Sequence, residues 1–524
     1  MSFPGQELMA SATAYVERVL SDLGLARVQL GPSMVLSILL APGALIYLGR
    51  RGMSQTSRRP PIVSHWIPWV GSALEVQKDP DSVYRRARQE LGPVFGVRLF
   101  GSTLYHVADT DLITAIYKQP QMFSANPMQA TFLHIVFGMS MEACKQPNAV
   151  SELIESMHRH LSPTRFEPLL SSFIAHSQAQ ISSLPLQMPV SLHTIVTQPM
   201  RNVDCAMLFG SNFLDKCYNQ AGKTAFSKFD ESVPLLAINF PAYLMRDTIA
   251  ARTTLIDGIC TYLEEGVPED ASELLKEAVQ IAHSLGWSIR DQATYGLSMM
   301  WPLLANAPIV AYWLLAFHLF RTGGLSPLYR EVHSVLSTGR DLAELVRDSS
   351  AMPYLDACIN ETIRLATDSY SVRWVPEGDA EAKIGEYVFK PGDQVVCNLR
   401  GVNMDELVYA HPESFEPERF LGGGKDKVRG RFIPFGGGFS VCSGRHLATT
   451  QIKAYMVTLL SEFEVELENG QAIPGFSPGG RGFGGIRPVG DVRVRLERRK
   501  PPVMQSDLVD SPVEEKSLGT SQFL

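Results

Sequence analysis

The chain has no CxxC pair, and its seven cysteines (Cys144, Cys205, Cys217, Cys260, Cys358, Cys397 and Cys442) are scattered. An odd count argues against a closed disulfide framework, and no zinc-ligand spacing is present. Six of the seven read as small buried hydrophobes of a reducing compartment. Charge is scarce too. Only 19% of residues are Asp, Glu, Lys or Arg, and 47 basic against 54 acidic residues leave a formal charge of −7. That balance argues against nucleic-acid binding, which favours a strongly basic face. No internal repeat breaks the chain into units. What is plentiful is apolar residues, 45% of 524, which suits a large core plus some surface that meets a membrane.

The longest uncharged run near the N-terminus is Leu30 to Leu48, LGPSMVLSILLAPGALIYL. At 1.5 Å per residue it just crosses a hydrocarbon core of about 30 Å. Arg50, Arg51, Arg58 and Arg59 follow it, while Glu7, Glu17, Arg18, Asp22 and Arg27 precede it. The positive flank therefore lies on the C-terminal side, which predicts a cytosolic body. The other reading is a buried core helix with Pro32 and Pro42 inside it. Pro60-Pro61 reads as a stiff hinge. A second uncharged run, Gln292 to Phe320, contains Pro302, Asn306 and Pro308 and reads as a long helix through the core.

Residues 92–118 alternate apolar and polar around turn glycines, the pattern of a hairpin running into a helix. Helical periodicity dominates from about 150 to 365, and short strands around Pro391-Gly392 occupy 370–400. Residues 445–464 read as an apolar helix and 474–490 as a Gly/Pro-rich loop. From about 500 the chain is polar with mixed charge and reads as disordered. The fold class is mainly α with a minor β region.

The seventh cysteine sits in Phe435-Gly436-Gly437-Gly438-Phe439-Ser440-Val441-Cys442-Ser443-Gly444-Arg445, directly before that apolar helix. Glycines before the cysteine permit a tight loop. A cysteine ahead of a helix lies near free backbone N–H groups and the positive end of the helix dipole, both of which favour a thiolate. A thiolate held in this way suits an iron–porphyrin ligand, onto whose metal it pushes electron density. Upstream, Glu361 and Arg364 stand at i,i+3 in PYLDACINETIRLA, on one helix face where they can pair. Phe415-Glu416-Pro417-Glu418-Arg419-Phe420 lies between the two.

The loop resembles the heme-binding segment of cytochromes P-450, Phe-Gly-x-Gly-x-(Arg/His)-x-Cys-x-Gly. Glu361 to Arg364 matches that family's Glu-x-x-Arg, and Pro417 to Phe420 its Pro-Glu-Arg-Phe, all in the family order. The resemblance covers about 60 to 500. It implies the cytochrome P-450 fold preceded by an N-terminal transmembrane helix, and heme b bound through Cys442 as axial thiolate. Phe435, Gly438, Ser440, Cys442 and Gly444 then form the cofactor loop. Glu361, Arg364 and Arg419 form a buried network that braces it, each dependent on the others. Arg373 stands where the family often holds a heme propionate. His158, Arg159 and His160 lie near the place of another contributor.

Three positions depart from the family. Ser440 replaces the usual Arg or His two residues before the cysteine, so it can give a hydrogen bond but no charge. On the helix over the heme, Asn306 replaces an acid and Ala307 a threonine, the pair that delivers protons to iron-bound dioxygen. Pro308 removes a helical hydrogen bond, frees a carbonyl and kinks the helix. Trp301, Asn306 and Trp313, together with 240–255, are similar to the sterol 7-alpha-hydroxylase and prostacyclin synthase branch. The overall style resembles fungal members that tailor secondary metabolites.

These resemblances imply a monooxygenase acting on a lipophilic small molecule with dioxygen and electrons from NADPH-cytochrome reductase. The alternative is a heme-thiolate isomerase or dehydratase acting on a peroxide or pre-oxidised substrate, which Ala307 favours; a non-enzymatic heme protein is the third reading. The expected layout is a lumenal segment 1–29, a single-pass anchor 30–48, a hinge 49–61, a cytosolic catalytic domain 62–499 and a tail 500–524, at the endoplasmic reticulum membrane. Lys425, Lys427, Arg429, Arg431 and Arg445 could dock an acidic reductase or be an ordinary solvated loop. The substrate pocket is expected near Phe132–Phe137, Leu303–Ala307, Tyr370–Val372 and Gly482–Gly485.

Overall fold

The computed structural model describes residues 59–499, apart from 126–129, 147, 187, 379, 439, 440 and 480. The expected lumenal segment, anchor and tail lie outside the described residues, as does most of the hinge. Helices carry the body. Those that position the site are α1 (Pro80–Leu91), α2 (Thr110–Tyr117), α3 (Glu167–Ser182), α4 (Gln198–Phe209), α5 (Gln220–Ala237), α6 (Arg246–Glu264), α7 (Ile289–Ala305), α8 (Ala307–Leu319), α9 (Pro353–Ala366) and α10 (Arg445–Glu462).

A five-stranded sheet is built from β1 (Val94–Leu99), β2 (Ser102–Val107), β3 (Thr367–Trp374), β4 (Gln394–Asn398) and β5 (Phe483–Gly485), in the order β1-β2-β4-β3-β5. The expected hairpin before α2 is present, with Phe95 opposite His106. Asp109 ends it and starts α2 by accepting from the N–H groups of Asp111 and Leu112. β2 pairs with β4 in parallel and the other pairings are antiparallel. The stretch 474–490, expected as a loop, instead holds short strands, one of which (β5) forms the sheet edge against β3. Its glycines hid it from a strand pattern built on β-branched and aromatic residues.

The apolar core falls into two large parts. One gathers buried residues of α3, α4, α8, α9 and α10. The other gathers the opposite side of α4 with α5, α6 and α7. The helical span Ile289–Leu319, which holds nearly all of the uncharged run, is 31 residues long and apolar enough to cross a membrane, yet 78% of its most apolar window is buried inside the protein. It is the expected core helix, broken at Asn306, and the boundary between the two core parts falls at that break. Ser288 caps its start by accepting from the Asp291 N–H. Pro308 is tolerated because it sits in the first turn of α8, where an N–H would have no acceptor within α8 itself and only the Leu304 carbonyl of α7 lies upstream. α10 is buried from Thr450 to Leu460, and its one charged side chain there is paired. Lys453 meets Asp356 at 2.5 Å, and Gln451 donates to Asp204 at 2.9 Å.

Candidate active site around Cys442

The cysteine loop closes on itself. The Cys442 N–H donates to the Phe435 carbonyl at 3.0 Å, while Gly436 and Gly438 take left-handed φ of 72° and 62°. Those glycines also permit close approach. A Cβ on Gly437 would meet the Tyr117 ring at 2.7 Å, so the end of α2 lies directly against the loop. Ser440 lies outside the described residues. Beyond the cysteine, Gly444 leads into α10, and Arg445 Nη1 donates to the Cys442 carbonyl at 3.0 Å.

Burial pushes the Cys442 thiol above its ordinary value, while the N–H groups of Gly444 and Arg445 and the Arg445 charge pull it down. The donors expected from sequence are there, but for the chain's own groups burial outweighs them. A coordinated cation reverses that balance, because a ligating thiol is deprotonated outright. Cys442 is nevertheless the one exposed cysteine; the other six are buried or half-buried. The residue is thus open to solvent on one side, while its thiol feels the burial of the loop around it.

The charged brace behind the loop is complete. Glu361 and Arg364 are fully buried on α9 and form a two-pronged pair, Nε to Oε2 at 2.7 Å and Nη2 to Oε1 at 2.8 Å. Arg419 Nε reaches the same carboxylate at 3.3 Å, and the Glu416 N–H donates to it at 2.9 Å. Arg364 Nη1 also donates to the carbonyls of Asn403 and Pro412, and Nη2 to that of Ser414. One arginine thus gathers three turns of the chain that leads to the loop, and Phe420 on Phe432 (4.9 Å) carries the packing onward.

Arg373 on β3 is 6% exposed and lies over the Tyr117 ring at 5.1 Å, the same ring that packs on Gly437. Its Nη1 donates to the Val372 carbonyl at 2.9 Å. Four further N–H groups of the guanidinium can serve an anionic group beside the loop. Arg159 and His160, by contrast, are engaged by Glu277 at 3.1 and 2.5 Å.

On the other side stands the broken helix. Leu303, next to the break, packs on the same core as Phe435 and Ala448, which flank the cysteine. Along buried α7, Ser298 and Asn306 are half-buried and Pro302 is exposed, four residues apart. This stripe opens one helix face to space. Phe132, Phe137, Trp301 and Phe483 form an aromatic wall there, with Phe132 stacked on Phe483 at 6.0 Å and both Phe132 and Phe137 on Trp301 at 6.2 and 6.0 Å. Of the expected pocket residues, Tyr370 does not join it. Its ring turns to the far sheet face, against His106 (5.6 Å) and Tyr84 (6.2 Å).

The carbonyl freed by Pro308 is that of Leu304. It is not left open, because Arg201 Nε on α4 donates to it at 2.9 Å. Asp230 on α5 is buried and holds the same region. It accepts from Trp301 Nε1 at 2.8 Å and from Arg487 Nη2 at 2.6 Å. No motif marks Arg201 or Asp230, because their partners lie so far away in the chain.

These residues fit a heme. Backbone N–H groups of Gly444 and Arg445 act on the Cys442 sulfur, a cation stands one ring from its loop, and Leu303 beside the broken helix packs on the same core as Phe435. When bound, that group supplies dioxygen binding and electron transfer. The chain's own residues hold it, shape the space above it and exclude water.

A profile of the family "Cytochrome P-450" matches residues 60–269 and 325–487. It skips 270–324, the stretch with the broken helix. Cholesterol 7-alpha-monooxygenase of Cricetulus griseus is 23% identical over 473 residues, covering 84% of this chain and 93% of that one. The 24-hydroxycholesterol 7-alpha-hydroxylase of Mus musculus is 24% identical, covering 82% and 93%. Cytochrome P-450 monooxygenase nodJ of Hypoxylon pulicicidum is 25% identical, covering 94% and 98%. Sequence motifs, cysteine loop, buried brace and family match agree: the chain belongs to the cytochrome P-450 family.

Proposed function

We propose that this chain is a heme-thiolate monooxygenase that places one oxygen atom of dioxygen into a lipophilic small molecule. NADPH, through a reductase, supplies the two electrons; substrate, dioxygen, NADPH and a proton yield hydroxylated product, water and NADP⁺. The carrying observation is Cys442, the single exposed cysteine, seated in its glycine loop before α10. The relatives named above are a monooxygenase, a hydroxylase and a monooxygenase, which favours oxygen insertion over isomerisation. The monooxygenase nodJ is matched over most of both chains, and a secondary metabolite is the substrate class proposed for this chain.

The roles proposed for individual residues rest on the family motifs they match. Cys442 ligates iron, Phe435, Gly438 and Gly444 shape the loop, and Ser440, at the position where the family has Arg or His, can give a hydrogen bond but no charge. Arg373 holds a propionate. Glu361, Arg364 and Arg419 fix the loop's support. Trp301, Phe132 and Phe483 present flat apolar faces to the substrate.

The chain is anchored by residues 30–48, with 1–29 lumenal, 49–61 a hinge, 62–499 the cytosolic catalytic domain and 500–524 a disordered tail, at the endoplasmic reticulum membrane. Just past the hinge, Trp66 is 100% exposed, and Ile67, Trp69, Leu74 and Phe100 are exposed beside it in sequence or on β1's turn. An apolar surface adjoining the anchor suits a membrane interface. Lys425, Lys427, Arg429 and Arg431 are all exposed and suit an acidic reductase. The test is turnover of an apolar extract of the source organism with reductase and NADPH under ¹⁸O₂. A product gaining one heavy oxygen, dependent on NADPH, supports the reading. A product formed equally without oxygen or NADPH replaces it with an isomerase.

A further inference from the structure

The helix over the site loses two backbone donors, at Pro302 and Pro308, and breaks between them at Asn306 (φ −113°, ψ −70°). Both ends of the Asn306 amide are spent on backbone. Nδ2 donates to the Pro302 carbonyl at 2.9 Å, and Oδ1 accepts the Gly485 N–H at 2.9 Å. The partners fix the amide's orientation, since a carbonyl must meet the nitrogen and an N–H the oxygen. Gly484, at φ +119°, lets the strand come this close, because a Cβ there would run into Asn306 Oδ1. Phe483, the next residue back, is the one stacked on Phe132 in the aromatic wall.

We propose that Asn306 is a positioning residue that clamps β5 to the broken helix and so fixes Phe483 and the shape of the ligand space, and that it is not the proton relay its place on the helix suggests. An asparagine whose oxygen faces a backbone N–H and whose nitrogen faces a backbone carbonyl is held in one orientation; it braces two elements rather than cycling a proton. The reaction's protons then reach the site by water or from the substrate. The clamp also explains why an amide stands here and not an acid. An aspartate could still accept from Gly485, but ionised it would set a charge against the Pro302 carbonyl.

The test uses two probes of different reach, imidazole and 4-phenylimidazole, titrated spectrally into the heme-loaded full chain. Asn306→Ala is expected to change the 4-phenylimidazole Kd at least tenfold while imidazole stays within twofold. Asn306→Asp is expected to do the same at pH 8 and to recover toward wild type at pH 5, where the protonated acid again donates to Pro302. A 4-phenylimidazole Kd within twofold of wild type in Asn306→Ala overturns the clamp. Only this arm rests on the heme reading. A second arm does not: Gly484→Ala should lower the melting temperature more in wild type than in the Asn306→Ala background, since the clash has then been removed. Equal shifts in both backgrounds overturn the clamp whatever becomes of the heme.

Discussion

The two sides of the site are built by different means. Behind Cys442, charge is gathered by short motifs: Glu361 and Arg364 lie on successive helix turns, and Arg419 of the Pro417–Phe420 motif joins them across 58 residues. Over the site, the helix is held by partners far away in the chain. Arg201, Asp230 and Gly485 reach Leu304, Trp301 and Asn306 across 103, 71 and 179 residues. The first side follows the family pattern, and the second is the stretch the family profile skips. A ligand-holding loop tolerates little change, whereas the helix above it can be broken and re-tied once each lost hydrogen bond finds a new partner.

If the brace is the rigid side, its failure should be the costliest. Glu361→Gln leaves two buried arginines without their shared charge and should cost about 3–5 kcal/mol. Denaturant unfolding would read this, with heme content falling in step; a cost under about 1 kcal/mol would contradict it. On the helix side, Arg201→Met should cost about 1–3 kcal/mol by orphaning the Leu304 carbonyl. Adding Pro308→Ala restores a backbone donor and should recover part of that cost. If it recovers none, the substitution of one donor for another is wrong.

His106 serves as a control on the sheet's far face. It is fully buried, both ring nitrogens lack hydrogen-bond partners, and burial lowers its pKa to about 3. The unfolded chain takes up a proton below about pH 6.5 that the folded chain refuses until about 3, so stability falls as pH drops through that window. The contribution is about 2 kcal/mol at pH 5. His106→Phe, among Phe95, Tyr84 and Tyr370, should flatten that slope while leaving both sides of the site intact; an unchanged slope would sink the assignment. Arg373→Ala should be milder. Loss of one charge-assisted contact, about 1.5 kcal/mol, should speed heme transfer to apomyoglobin roughly tenfold without unfolding the chain.

Much of this was legible in the sequence because it is local. The hairpin before α2, the Glu361–Arg364 pair, the glycine loop at Cys442 and the break at Pro308 each follow from neighbours within a few positions. The second apolar run lies in the core, as expected of a long helix within a large apolar body. What stayed hidden was non-local. Asn306 could be read as a missing acid, but its partner Gly485 sat in a stretch taken for loop. Arg201 looked like any helical arginine until Leu304 lay beside it. Arg373 was found by its place in the family, and Tyr117, which links it to the loop, carried no signal.

The most direct measurement is the carbon monoxide difference spectrum of the reduced chain, wild type beside Cys442→Ala. A strongly red-shifted Soret band in wild type, absent from the folded Cys442→Ala variant, is what a Cys442 thiolate ligand produces. A band that survives the substitution, or a folded wild type that binds no heme, would contradict the account at its centre.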